Sequence, residues 1–323
     1  MKRRDWLIAS AALATAPLAQ AQAPRVRRIA IASPGADNPF ERGFLVPRLE
    51  ELGWAEGRTI EYLRGHAHDD ARRWEAMIAE LLAKKPDVLV VVFTGMAQVA
   101  MKQTKEVPIV FTLASNPEKA GLVASLARPG GNVTGVSTRE QELLGKRIEL
   151  MREITPGIRS IAMLANPDNP QISKVYFENY SAAARKVGIE VRPYDAKSVE
   201  ELRPAFDRMR HDQMQGLLNI ADTFQYRVRK DLVAHASRVH LTAIYTISGF
   251  VEAGGLASFG TDPKEQFRRA ADYVDKILRG AKPADLPVQE PTQFQLAVNL
   301  KAAREQGVKF PQSILLRADQ VIE

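Results

Sequence analysis

An α/β protein of two doubly wound parallel-sheet lobes, with a tail that crosses back between them, is what three features of the sequence predict. Short apolar runs alternate with amphipathic stretches from residue 27 to residue 245. The run Asp87-Val-Leu-Val-Val-Val-Phe93 is apolar without a break, as a parallel strand covered on both faces must be. The alternation starts afresh after Ser137, giving two βαβ series of four or five strands each, and 323 residues fit two domains of roughly 100–200 residues.

In the first series, strands are expected at 27–32, 59–63, 87–93, 107–113 and 133–137. Asp37-Asn38-Pro39 offers side-chain acceptors and a preset φ to start a helix that reaches Gly53, with Pro47 kinking or interrupting it. A helix at 71–84 sets Trp74, Met77, Ile78, Leu81 and Leu82 on one face, and another spans 96–104. Between the last two strands a short apolar helix is expected around 122–126, then a turn at Arg128-Pro-Gly-Gly-Asn132. This stretch brings two strand ends with small polar residues close together, where open parallel sheets hold ligands.

In the second series, helices at 140–154, 171–187, 199–211 and 225–238 alternate with strands at 160–165, 189–194, 216–220 and 241–245. The tail reads as a turn at 250–255, a strand at 256–259, a helix at 262–280, an extended linker at 282–287, a strand at 292–298 and a helix at 299–306. Lobe 1 is thus expected to comprise 24–137 plus 258–285, and lobe 2 to comprise 138–257 plus 286–323.

The N-terminus reads as a signal peptide, 1–21: Lys2, Arg3 and Arg4, an apolar run over 6–18, then Ala19-Gln20-Ala21. The apolar run is shorter than the ~20 residues that span a bilayer. Arg3-Arg4-Asp5-Trp6-Leu7 also resembles a twin-arginine signal, so export to the periplasm by either that route or Sec is expected. Removing Lys2, Arg3, Arg4 and Asp5 lowers the formal charge from +7 to about +5. The remaining basic residues are scattered over helices, which argues against a nucleic-acid partner. With no Cys, disulfides, thiolate catalysis and Cys-ligated metals are excluded.

Several motifs carry a resemblance to a known family. They are Gly121-Leu-Val-Ala-Ser-Leu-Ala-Arg-Pro-Gly-Gly-Asn-Val-Thr-Gly135, Phe250-Val-Glu-Ala-Gly-Gly255, Tyr273-Val-Asp-Lys-Ile-Leu278 with Gly280-Ala-Lys-Pro-Ala-Asp-Leu-Pro287, and Ala318-Asp319 with Val321-Ile322-Glu323. In this order they give the chain a likeness, over nearly its whole mature length, to a family: it resembles the ABC-transporter substrate-binding proteins related to tryptophan-binding transport proteins. The resemblance implies a type I periplasmic-binding-protein (Venus-flytrap) fold: two lobes, three crossover segments and a ligand clamped between the lobes. It also implies that the crossovers, serving as hinges, fall near 137–139, 256–259 and 283–289. It departs at Asn116-Pro117, where many relatives have Asp-Pro. An Asp can pair with a cation, whereas Asn only hydrogen-bonds.

In such a fold ligands meet strand C-termini and the N-termini of following helices, where free N–H groups and the dipole favour a carboxylate. Thr94 and Gly95 read as a carboxylate site, or as a plain helix start; Ser33 and Asp37 end the first strand and read as ligand contacts or caps. Ser115 and Asn116 follow the fourth strand, and Thr138 stands beside the first crossover. On the second lobe Asn166 and Asp222 end strands. Asp222 is the candidate for a ligand ammonium, with helix capping as its other role. Tyr245 and Phe250 read as an aromatic wall or as core.

His66-Ala-His68-Asp69 lacks a third ligand for a metal, and no G-x-S-x-G, Walker A or dinucleotide motif accompanies a suitable strand, so no cofactor is expected. The chain is read as a monomeric receptor, without catalysis, that hands a small ligand to an ABC-transporter permease by hinge closure. An aromatic or branched amino acid is the leading ligand. A periplasmic sensor for a membrane signalling receptor and an exported enzyme are the alternatives. A cytoplasmic sugar-responsive repressor is disfavoured, because a signal peptide occupies the place of a DNA-binding headpiece.

Overall fold

The structure is a computed structural model that describes residues 25–323 apart from 34, 36, 37 and 68–70. The expected signal peptide, Asp37, and His68 and Asp69 of the histidine loop therefore lie outside the described residues.

Lobe 1 is built from β1 (Arg27–Ser33), α1 (Val46–Glu51), β2 (Ile60–His66), α2 (Trp74–Ala83), β3 (Val88–Val92), α3 (Thr94–Gln103), β4 (Ile109–Ala114) and β5 (Val133–Ser137). Its five strands run parallel in the order β2-β1-β3-β4-β5, a doubly wound arrangement. Every residue of β3 is buried, as its unbroken apolar run requires. On one face Trp74, Met77, Ile78 and Leu81 pack against Leu89, Val91 and Phe111. Pro47 interrupts the helix as expected: residues 39–51 are helical throughout, but a π-helical turn, Glu41–Leu45, stands just before Pro47, and the α-helical ladder resumes as α1.

Lobe 2 continues with α4 (Glu140–Ile154), β6 (Ser160–Ala165), α5 (Pro170–Arg185), β7 (Glu190–Asp195), α6 (Val199–His211), β8 (Gly216–Leu218), α7 (Thr223–Arg227), α8 (Arg229–Arg238), β9 (Thr242–Tyr245) and α9 (Gly249–Glu252). The tail supplies β10 (Ala257–Gly260), α10 (Pro263–Leu278), β11 (Gln295–Asn299), α11 (Leu300–Gln306), α12 (Gln312–Leu315) and β12 (Gln320–Ile322). The second sheet has seven strands in the order β12-β11-β10-β9-β8-β6-β7, with β10 and β11 antiparallel and the other neighbours parallel.

The expected lobe boundaries shift. Strand β10 pairs with β9 and β11, so residues 257–260 belong to the lobe 2 sheet, and the chain crosses at Thr261-Asp262. Gly260 makes this path possible, because a Cβ there would lie 1.7 Å from the Thr246 carbonyl oxygen. Helix α10 then returns to lobe 1, and Phe267, Ala270, Ala271 and Val274 cover its second face against Ile29, Ile31, Val88 and Val90. Lobe 1 also extends to Gln289, whose carbonyl accepts from the Ser137 N–H at 2.8 Å while its own N–H donates to Gly135 at 3.1 Å.

The helix expected around 122–126 is instead a series of turns. Leu122 donates to Pro117 and Ala124 to Pro129, so local turn bonds replace the helical ladder while Leu122 and Val123 still enter the core. The helix expected at 225–238 breaks at Val228 into α7 and α8.

Candidate functional site

A cleft of about 910 Å³ opens between the lobes, where the strands of both sheets end. Ser33, Phe93, Thr94, Gly95, Leu113, Ser115 and Asn116 line the lobe 1 side. The backbone there is forced into left-handed conformations: φ is +72° at Phe93, +55° at Leu113 and +46° at Asn116. The β4–β5 register shifts between Phe111 and Ala114, which turns the loop after β4 toward the cleft. Gly135 is required beside this irregularity, since a Cβ there would lie 2.1 Å from the Phe111 carbonyl oxygen.

The hydroxyl of Thr94 is engaged within the protein. It accepts from the Ser115 N–H at 2.9 Å and donates to the Ser115 carbonyl at 3.2 Å, tying the ends of β3 and β4 together. With its one proton so placed, Thr94 cannot donate through its hydroxyl to a carboxylate. The first N–H groups of α3, which by helical geometry lack intrahelical acceptors, are the donors left at this point. Gly95 has a packing reason for its missing side chain, because a Cβ would sit 2.9 Å from the Trp74 ring. Ser33 accepts from the Asn38 amide at 3.1 Å, and Asn38 in turn accepts from the N–H groups of Phe40 and Glu41. Thr138 fastens the first crossover to Ala114 through its N–H at 2.8 Å.

The lobe 2 side carries two saturated polar clusters. Asp222 caps α7 by accepting from the Gln225 N–H, and it accepts from the amides of Asn166 and Asn169, each bond at 3.2 Å. It lines the cleft but is not the lone carboxylate the sequence reading required. Asn166 serves this cluster; its own carbonyl oxygen accepts from Asp168, and it is buried behind the cleft wall. The second cluster centres on Arg147, fully buried, which donates to both oxygens of Glu140, to Tyr180 at 3.2 Å and to the Phe259 carbonyl at 2.7 Å. Burial disfavours the guanidinium's charge, but Glu140 beside it outweighs this and holds its pKa above the ordinary value. Burial also pushes the Tyr180 phenol up to about 12. Glu140 and Tyr176 face the cleft from this cluster.

A column of rings crosses the cleft. Phe40 of lobe 1 packs on Phe267 at 5.9 Å and meets Tyr226 of lobe 2 at 5.1 Å between centroids, with planes tilted by 39°. Tyr226 stands edge-on to Phe250 at 5.9 Å, and Phe250 stacks on Tyr245 at 4.8 Å and 1°. The Arg229 guanidinium lies 4.4 Å from the Tyr226 centroid. Two glycines admit the column: a Cβ at Gly249 would lie 2.8 Å from the Tyr226 ring, and one at Gly255 would lie 2.6 Å from the Tyr245 ring.

Of the candidates read from the sequence, Ser33, Thr94, Gly95, Ser115, Asn116, Thr138, Asp222 and Phe250 come together around the cleft. Tyr245 does not reach it; the ring forms the base on which Phe250 rests. The cleft also takes Phe40, Gln98, Glu140, Tyr176, Tyr226 and Arg229, which the sequence reading passed over. Phe40 and Tyr226 each stand a few residues beyond a strand end that was recognised, so extending each candidate loop by one helical turn finds them. Among the described residues no group of three or more potential metal ligands occurs, and no helix is long and apolar enough to cross a membrane.

The family model for ABC transporter substrate binding proteins matches residues 19–322. The chain is 25% identical over 283 residues to a tyrosine-binding protein of Clostridioides difficile (strain R20291), covering 87% of this chain and 81% of the relative. The structure superposes with a TM-score of 0.79 on an ABC domain from Streptococcus pneumonia in complex with L-Trp. The two are 26% identical over 92% of this chain and 100% of that one. The TM-score is 0.62 against the ligand-free, open structure of a substrate binding protein with adhesive properties from Clostridium difficile, 25% identical over 92% of this chain and 99% of that one.

Proposed function

Since the chain belongs to the ABC transporter substrate-binding protein family, we propose that it is an exported receptor that holds a small ligand, an amino acid, between its lobes and delivers it to an inner-membrane permease. The leading ligand class is aromatic, and branched amino acids are second. The observation that carries this reading is the chemistry of the cleft, which pairs a helix N-terminus and free polar side chains on one wall with carboxylates and apolar surface on the other. We assign the ligand carboxylate to the start of α3, the Ser115 hydroxyl and the Asn116 amide. The ammonium is assigned to the wall that holds Asp222 and Glu140, and the side chain to the surface of Leu144, Ile172 and Tyr176. The relative named a tyrosine-binding protein and the similar structure in complex with L-Trp support the aromatic choice.

A ligand that touches both walls favours the closed form by its difference in affinity for the two states. The hinges are the crossovers at 137–139, 261–262 and 290–294. A thermal-shift series with L-tyrosine, L-tryptophan, L-leucine and several sugars tests the reading. A ligand at ~100 times its Kd stabilises the fold by about 2.7 kcal/mol, a clear rise in Tm. Shifts from sugars and none from millimolar amino acids would reverse the assignment.

A further inference from the structure

We infer that Phe40 and Tyr226 form a clasp between the lobes that sets the open–closed balance through protein contacts alone, so that these two side chains tune ligand affinity without holding the ligand. Phe40 projects from the loop after β1, and Tyr226 from the first turns after β8, so the two rings belong to different sheets. Their 5.1 Å centroid separation is direct aromatic contact, too short for a third ring to lie between them. Behind each ring the support is rigid: Phe40 rests on Phe267 of α10, and Tyr226 rests on Phe250, itself stacked on buried Tyr245. Arg229 covers the remaining face of Tyr226. Gly249 leaves the space that the Tyr226 ring fills.

Both rings are only half-buried, so removing either leaves the two lobe cores intact. What is lost is a ring contact between the lobes, which a hinge motion that parts them at this point breaks. A contact made only in the closed form shifts the balance in every state of ligation. If the closed form is the competent one, apparent affinity scales with its population. The affinity part of the inference rests on the amino-acid reading of the cleft; the conformational part does not.

The test measures the radius of gyration of unliganded protein by small-angle X-ray scattering, and L-tyrosine binding by calorimetry, for Phe40→Ala, Tyr226→Ala and the double variant. Each single variant is expected to enlarge the unliganded protein, and the double to enlarge it no further, because either ring alone makes no clasp. L-tyrosine Kd is expected to rise roughly two- to tenfold in each, again without a further rise in the double. Phe40→Leu keeps apolar bulk but loses the ring. Gly249→Ala keeps both rings but displaces Tyr226. Both are expected to give the same enlargement, and they serve if an alanine variant fails to fold. An unchanged radius of gyration across the folded variants overturns the clasp, as does a double variant whose Kd loss multiplies the single losses without enlargement. If the wild type does not bind L-tyrosine, the amino-acid reading fails while the scattering arm still decides the clasp.

Discussion

Lobe 1 presents strained backbone and chemically open side chains to the cleft, whereas lobe 2 presents relaxed backbone and side chains already hydrogen-bonded to one another. Three of the non-glycine residues with left-handed φ, at Phe93, Leu113 and Asn116, line the lobe 1 wall, and among the described residues none lines the lobe 2 wall. Left-handed backbone at such residues costs of order 1–3 kcal/mol each and persists only where the surroundings enforce it. On lobe 2 the corresponding investment is the burial of Arg147 and Glu140, repaid only while the pair stays complete. The contrast teaches that one wall is shaped by the path of its chain and the other by its side-chain networks, so substitutions should affect them differently.

The largest expected effect is on lobe 2. Arg147→Met leaves the Glu140 carboxylate, the Tyr180 hydroxyl and the Phe259 carbonyl without their shared donor, and should lower stability by about 3–5 kcal/mol in chemical denaturation. Adding Glu140→Met should recover most of that loss, because the cost lies in the broken pair. A loss below about 1 kcal/mol in the single variant would dissolve the contrast between the walls. Next comes Asp222→Ala, which removes the α7 cap and strands the amides of Asn166 and Asn169. A loss of about 1–2 kcal/mol is expected. The same variant reads the site: unchanged calorimetric affinity for an ammonium-bearing ligand would remove Asp222 from ligand recognition.

A smaller and opposite response is expected on lobe 1. Asn116→Gly suits φ of +46° better than any side chain and should change stability by less than about 1 kcal/mol, in the favourable direction. Ligand affinity should nevertheless fall, because the amide is gone. A fall in stability with no change in affinity would mean that Asn116 is only a turn residue. The smallest effect concerns His235, which stacks on Phe206 and is held below its ordinary pKa chiefly by burial. The unfolded chain then binds a proton that the folded chain resists, so stability should fall as pH drops below about 6.5, with the loss complete once pH is below the lowered folded value. His235→Gln should flatten that slope in pH-dependent denaturation.

The lobe 1 wall was largely legible in the sequence because its polar residues are small and stand directly after apolar runs. Ser33, Thr94, Ser115 and Asn116 follow that rule. What could not be read is long-range partnership. The proton of Thr94 goes to Ser115, Gly95 yields to Trp74, and Asp222 is enclosed by amides from a loop 53 residues earlier. The aromatic column was missed for the same reason: Phe40 and Tyr226 meet across lobes, and sequence spacing carries no sign of the meeting. In the fold, strand periodicity identified the two sheets, but the switch of β10 to lobe 2 depends on one glycine passing one carbonyl.

Helix α10 bears on how the molecule comes into being. It closes the second face of a sheet whose strands end at residue 137, yet it is made only at 263–278. Until the ribosome has delivered it, lobe 1 is a five-stranded sheet whose Ile29, Ile31, Val88 and Val90 are covered on that side only in part, by Leu45 and Leu49. The N-terminal half of the chain therefore cannot complete its native core before nearly all of the C-terminal half exists, a long-range dependence that slows folding. A nascent chain of this design remains available to chaperones for most of its synthesis, and a truncation before residue 263 would yield a sticky fragment, not a working half.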